Sequence, residues 1–198
     1  MIDTRARRRE AKREQILAAA WTLAHRDGLG GISLRELADL VDLRQPSLYA
    51  YFESKHALYD AMFEAGNRAL VERTRALPPT EDARDAVVNL TRMLLEFVTE
   101  DVVRYVLMFQ RQIPGFEPSP DSYAVAIEFY ELVRSKLSAA GVSAQRDIDL
   151  FTTLVAVLAD QQTANDPGGD RWAGLTDRVL AMFFAEIDSK PTKRKGAR

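Results

Sequence analysis

The chain has 198 residues, 46% of them hydrophobic and 28% charged, the balance of an ordinary globular protein long enough to bury a sizeable core in one or two domains. It contains no cysteine, which excludes disulfides and thiolate metal sites. A net charge of -2 argues against wholesale polyanion binding, yet local clusters of cationic side chains can supply a footprint that the sum hides.

Such clusters stand at both ends. Arg5, Arg7, Arg8, Arg9, Lys12 and Arg13 precede the first helix with only Asp3, Glu10 and Glu14 against them, and are read as a contact to nucleic-acid phosphates. Lys190, Lys193, Arg194, Lys195 and Arg198 are read as part of a solvated, flexible tail over residues 189–198. The first residues lack the apolar segment of a signal peptide, and no run approaches the roughly 18 apolar residues of a membrane span. A cytoplasmic location without a membrane partner is expected.

The first helix is expected over residues 8–25, with Ile16, Leu17, Ala20, Leu23 and Ala24 as its buried stripe and Asp27-Gly28 as its stop. Leu29-Gly30-Gly31 reads as a flexible connector, and Ile32 stands before a cap as a hydrophobic staple would. Ser33-Leu34-Arg35-Glu36 has the capping-box pattern, in which hydroxyl and carboxylate satisfy the free N–H groups of a helix start. Leu34, Leu37, Ala38 and Val41 then follow at helical spacing. Asp42 tolerates the left-handed conformation of a sharp turn. A further helix from Gln45 or Pro46 to about Tyr51 completes the spacing of a helix-turn-helix. Leu48 and Phe52, four apart, face inward and leave Arg44, Gln45, Ser47, Tyr49 and Tyr51 outward, a surface suited to a DNA groove.

The order S-L-x-x-L-A, a turn, then P-S-L-Y-x-Y-F-x-S-K resembles the DNA-binding domain of the TetR (tetracycline-repressor) family of bacterial regulators, from about Ile16 to Tyr59. The chain departs from the family pattern at Asp42, where members commonly have glycine, and at Arg44, where they have serine or threonine. The resemblance implies that Ser33, Tyr49, Tyr51 and Lys55 hold phosphates, while Arg44, Gln45 and Ser47 reach base edges. Arginine favours guanine and glutamine adenine by bidentate geometry, and Pro46 can touch a thymine methyl. It implies also that the fourth helix, capped by Ser54 and running to Pro78-Pro79, transmits a ligand's effect to the reading heads.

The remainder reads as helix throughout: residues 81–99, 101–110, 121–140, 144–165 and a ninth capped by Asp170 and ending near 188. Pro114-Gly115-Phe116-Glu117-Pro118-Ser119-Pro120 is a loop. The expected fold is all-α with about nine helices. A three-helix helix-turn-helix domain over residues 1–55 is followed by a helical bundle for ligand binding and dimerisation over 56–188. Met93, Phe97, Tyr105, Met108, Phe109, Phe116, Tyr123, Ile127 and Tyr130 make an aromatic and methionine cluster; such a stripe is often plain core, but bundle interiors also hold small ligands. The eighth and ninth helices are apolar beyond one stripe, and by resemblance Phe151, Leu154, Val155, Leu158, Val179, Met182 and Phe183 form a homodimer interface.

Neither His25 nor His56 lies in a catalytic motif, and the glycine pairs lack the lysine and serine of a phosphate loop. No catalytic residue, metal or cofactor is expected, and the chain does not read as an enzyme. The expected function is a homodimeric repressor on a palindromic double-stranded operator, released by a small, largely apolar effector. An activator of the same architecture, control by a protein partner, and a helical enzyme carrying a borrowed helix-turn-helix are the rival readings.

Overall fold

The computed structural model describes residues 4–189. The basic run at 190–198 and residues 1–3 lie outside them. Nine α-helices and no strand occur among the described residues: α1 Thr4–Gly31, α2 Leu34–Leu40, α3 Gln45–Leu48, α4 Lys55–Arg75, α5 Ala83–Glu100, α6 Val102–Phe109, α7 Pro120–Ala139, α8 Gln145–Asn165 and α9 Thr176–Ser189. By packing they divide into two compact units, residues 4–69 with 101–127 and residues 70–100 with 128–189. None of the described helices is long and apolar enough to cross a membrane.

The first unit is built on α1. Its stripe of Ile16, Ala20, Leu23 and Ala24 is buried against Leu37, Ala38, Val41, Leu48, Phe52, Leu58, Tyr59 and Met62. α1 breaks at Gly28, whose φ of 75° and ψ of 165° are open to glycine and strained for other residues. The connector after it is fastened rather than flexible. Tyr59 Oη donates to the Leu29 carbonyl at 2.5 Å and Lys55 Nζ donates to the Gly30 carbonyl at 2.8 Å, so α4 grips the end of α1. Burial pushes the Tyr59 phenol up and the Lys55 ammonium down in pKa.

α6 and the start of α7 complete this unit. Leu107 enters its core, and Ile113 and Phe116 from the proline loop pack against it. Asp101 caps α6, accepting from the Arg104 N–H at 2.9 Å and pairing with His25 Nε2 at 2.9 Å. Ser119 caps α7, its Oγ accepting from the Ser122 N–H at 3.2 Å, and Asp60 on α4 holds that cap: its carboxylate accepts from the Ser119 N–H (2.7 Å), Ser119 Oγ (2.8 Å) and Ser122 Oγ (2.9 Å). A Cβ on Gly66 would stand 2.7 Å from Met108 Sδ, so glycine permits the close approach of α4 and α6.

In the second unit α5 packs on α8 and α9, burying Val87, Leu90, Leu95 and Phe97 with Phe151, Val155, Leu158, Leu180 and Phe183. The turn between α8 and α9 is organised by Gln162, fully buried. Its Oε1 accepts from the N–H groups of Trp172 and Ala173 at 2.9 Å each, and its Nε2 donates to the carbonyls of Asp166 and Gly169. α9 therefore does not begin at Asp170. A 3-10 turn, Ala173–Leu175, intervenes, because the N–H groups after that aspartate are already held, that of Arg171 by Asp166 Oδ2 at 2.9 Å and those of Trp172 and Ala173 by Gln162. Gln162→Leu should cost about 2–3 kcal/mol, since it orphans backbone groups that the glutamine satisfies. Urea unfolding measures this, and a loss below about 0.5 kcal/mol, the scale of an inert surface change, contradicts it.

Candidate nucleic-acid interface

α2 opens on Ser33, whose Oγ accepts from the Glu36 N–H at 3.4 Å. The reciprocal half of the expected capping box is not formed. The Glu36 carboxylate is taken by the Arg26 guanidinium in a fork of two 2.8 Å bonds, a stronger partner than a backbone N–H. Arg26 holds the Asp27 and Glu36 carboxyls below the usual carboxylate range.

The turn into α3 is a Schellman motif. The Asp42 N–H donates to the Asp39 carbonyl at 3.3 Å and the Leu43 N–H to the Ala38 carbonyl at 2.9 Å, with Asp42 left-handed at φ 54°. α3 is shorter than expected, Gln45–Leu48, and continues as turns in which the Tyr51 and Phe52 N–H groups donate to the Leu48 carbonyl at 2.9 and 3.0 Å. Arg44 stands at its N-cap without capping it, since a guanidinium has no acceptor. Leu48 and Phe52 are buried at 1% and 4% exposure. Arg44, Gln45, Pro46, Ser47 and Tyr49 are exposed together, Tyr49 at 45%, so its ring is not core. Tyr51 is half-buried against the first unit's core, and Lys55 spends one donor on Gly30.

Sequence reasoning missed part of what α1 does. Arg9 Nη2 donates to the Ala50 carbonyl at 3.1 Å, and Lys12 Nζ to the Val41 carbonyl at 2.6 Å and Gln15 Oε1 at 3.0 Å. The Arg13 guanidinium lies 4.7 Å from the Phe52 ring centroid. Positions 9, 12 and 13 share one helix face, which was a readable signal.

Residues 16–62 match the model of the bacterial regulatory proteins, tetR family. Over 181 residues the chain is 37% identical to tetracycline repressor protein class A from transposon 1721 of Escherichia coli, a match covering 88% of this chain and 78% of that one. The chain belongs to the TetR family. As a TetR-family regulator it binds DNA through a helix-turn-helix and acts in transcription regulation. Tetracycline repressor protein class G of Vibrio anguillarum is 37% identical over 84 residues, 42% of this chain and 38% of that one, so the chain spans little more than a third of that relative. A tetR-family transcriptional regulator from Streptomyces coelicolor has the same fold, with a TM-score of 0.71 at 19% identity over 90% of this chain and 81% of that one.

In this TetR-family chain the expected ligand residues are divided. Met93, Phe97 and Tyr130 belong to the second unit. There Met93 and Phe97 are buried, and Tyr130 Oη accepts from Gln145 Nε2 at 2.9 Å. The other six belong to the first unit. Tyr105 and Met108 are buried, while Phe109, Tyr123 and Ile127 are exposed at 44%, 46% and 43%. Phe116 packs edge-on to Tyr59 at 5.8 Å, because the proline loop is folded onto the core beneath the helix-turn-helix. A cleft of about 520 Å³ opens within the second unit between α5 and α9, lined by Arg84, Asn89, Arg92, Asp177 and Phe184 among others; none of the nine lines it.

The expected interface residues also separate. Phe151, Val155, Leu158 and Phe183 are buried inside the subunit, the rings of Phe151 and Phe183 5.8 Å apart. Three-and-four spacing puts them on the inner face of α8 and α9. Leu154 and Val179 are half-buried and Met182 is 66% exposed, with Leu150 and Val157 exposed at 37% and 53%.

Asp42→Gly should stabilise the protein by about 0.5–1 kcal/mol, because a left-handed residue with a Cβ is replaced by one without, whereas Asp42→Val should destabilise it by about 1–2 kcal/mol. Urea midpoints at unchanged m-value provide the check. Equal midpoints for the three proteins would show that the turn stores no strain.

Proposed function

We propose that the protein is a repressor that binds a palindromic operator as a homodimer and releases it when a small, largely apolar effector binds. The observation that carries the DNA half is the shared exposure of Arg44, Gln45, Pro46, Ser47 and Tyr49 over the buried Leu48 and Phe52. In this reading Arg44, Gln45 and Ser47 read base edges, Pro46 meets a thymine methyl, and Ser33, Tyr49, Tyr51 and Lys55 hold phosphates. Residues 1–55 are the reading domain, and 56–188 serve effector binding and dimerisation.

A helix of four residues reads too few bases alone, so two copies about 34–36 Å apart are needed. Leu150, Leu154, Val157, Val179 and Met182, on the outer faces of α8 and α9, supply the apolar surface for pairing, replacing the buried residues of the sequence-based expectation. The effector acts only by its differential affinity for the two DNA-binding states. Tyr105, Met108, Phe109, Phe116, Tyr123 and Ile127, which share the first unit, are its candidate contacts, and kinship to tetracycline repressor proteins supports repression.

Selection from a pool of random duplexes tests the reader. The wild type should enrich a palindrome, and Gln45→Ala should lose about 1–3 kcal/mol of discrimination at one position of each half-site. Enrichment of the same sequence with undiminished discrimination would remove Gln45 from the reading surface. Val157→Glu, a charge on an exposed apolar face, should leave the subunit folded but sediment as a monomer and lose at least tenfold in operator affinity. A Val157→Glu protein that remains dimeric would place the interface elsewhere.

A further inference from the structure

The basic run at the start of α1 has the sign of a phosphate contact, but two of its members spend a donor on backbone carbonyls of the helix-turn-helix and a third lies over a ring. Arg9, Lys12 and Arg13 occupy positions i, i+3 and i+4 of α1, one face of the helix. Lys12 Nζ is 2.6 Å from the carbonyl of Val41, the C-cap of α2, and so holds the Val41–Asp42 peptide of the turn that leads into α3. Arg9 Nη2 is 3.1 Å from the Ala50 carbonyl and holds the Ala50–Tyr51 peptide in the turns that follow α3. Arg13 covers the ring of Phe52, which follows.

α3 itself is four residues long and has no side-chain N-cap. So short a helix has almost no stability of its own, and its direction is fixed by what grips its two ends. Beside the buried Leu48 and Phe52, α1 holds the chain on both sides of α3. A cation on a C-terminal carbonyl is also the favourable end of the helix dipole, so Lys12 satisfies α2 and sets the turn together. Lys12 spends a second donor on Gln15, which leaves one of three for anything outside. Arg7, Arg8 and Arg9 are exposed, whereas Lys12 and Arg13 are half-buried.

We propose that Arg9, Lys12 and Arg13 form a clamp that fixes the pitch of the reading helix, acting as positioning residues for base recognition rather than as phosphate ligands. The proposal rests on α3 being the reader. Discrimination between sequences depends on where Arg44 and Gln45 project, whereas affinity for any duplex depends on the number of phosphates neutralised. Loss of a clamp residue therefore costs selectivity and spares the salt dependence. Loss of a phosphate ligand does the reverse, and lowers the slope of log affinity against log salt by about one.

The experiment compares wild type, Lys12→Ala, Lys12→Arg and Arg9→Ala on a duplex selected by the wild type and on an unrelated one, at several salt concentrations. Amide hydrogen exchange is measured on the same proteins without DNA. Lys12→Ala and Arg9→Ala should each reduce the preference for the selected duplex about tenfold, with unchanged affinity for the unrelated duplex and an unchanged salt slope. Lys12→Arg should restore most of the preference. Exchange should quicken at the Asp42 and Leu43 amides in Lys12→Ala and at the Tyr51 and Phe52 amides in Arg9→Ala. Equal losses on both duplexes, a slope smaller by about one, and unchanged exchange would make these residues phosphate ligands and overturn the clamp. Should Lys12→Ala fail to fold, Arg9→Ala carries the same comparison. If the wild type selects no sequence, the reading function fails, and hydrogen exchange alone still decides whether α1 holds the ends of α3.

Discussion

The structure of the first unit depends on one constraint: a four-residue helix cannot hold itself, so everything that positions α3 must come from outside it. Leu48 and Phe52 supply the anchor, buried at 1% and 4% in a core shared by α1, α2 and α4. Their burial turns the Leu48 side of α3 inward and leaves Arg44, Gln45, Pro46 and Ser47 exposed on the rest of its surface. The Schellman turn at Asp42 decides the angle at which α3 leaves α2. Arg44, Gln45 and Ser47 are therefore displayed by packing that they do not take part in. That is the arrangement a reading surface needs, since side chains held in a core cannot reach a groove.

The same unit also binds the segments that follow α5. Phe116 lies edge-on to Tyr59, Leu107 enters the core, and the Asp60 carboxylate holds the first N–H and two hydroxyls of the α7 start. Tyr59 and Lys55 in turn hold the carbonyls at the end of α1. α4 is thus the member through which α6, α7 and α1 are tied within one packed body. A rearrangement of the start of α7 must either carry α4 with it or break the part-buried hydrogen bonds to Asp60, each worth roughly 0.5–1.5 kcal/mol.

Most of the helices were legible because their signals are local. Ser33 and Ser54 precede their helices and cap them, the Gly28 break follows Asp27, and helical spacing found the inner residues of α1 and α2. The outward set of α3 was legible from Leu48 and Phe52 except at Tyr51, which lies half-buried against the core because the helix ends at Leu48 and the chain continues in turns. Contacts distant in sequence were not. Glu36 is taken by Arg26, Lys55 by Gly30 and Phe116 by Tyr59, each across a separation that no periodicity encodes. The start of α9 was misjudged because Gln162, a polar residue within an apolar helix, organises the turn. Apolar character also cannot separate a subunit's core from its surface on a helix with both. Phe151 and Val157 read alike in sequence, yet one is 3% exposed and the other 53%.

The central claim is that two copies of this reading surface meet one palindrome. A hydroxyl-radical footprint of the full chain on a duplex that it has selected addresses it most directly. The account predicts two protected patches related by two-fold symmetry, their centres about one helical turn, or 34–36 Å, apart or a multiple of that. A single patch, or uniform protection without symmetry, would contradict it.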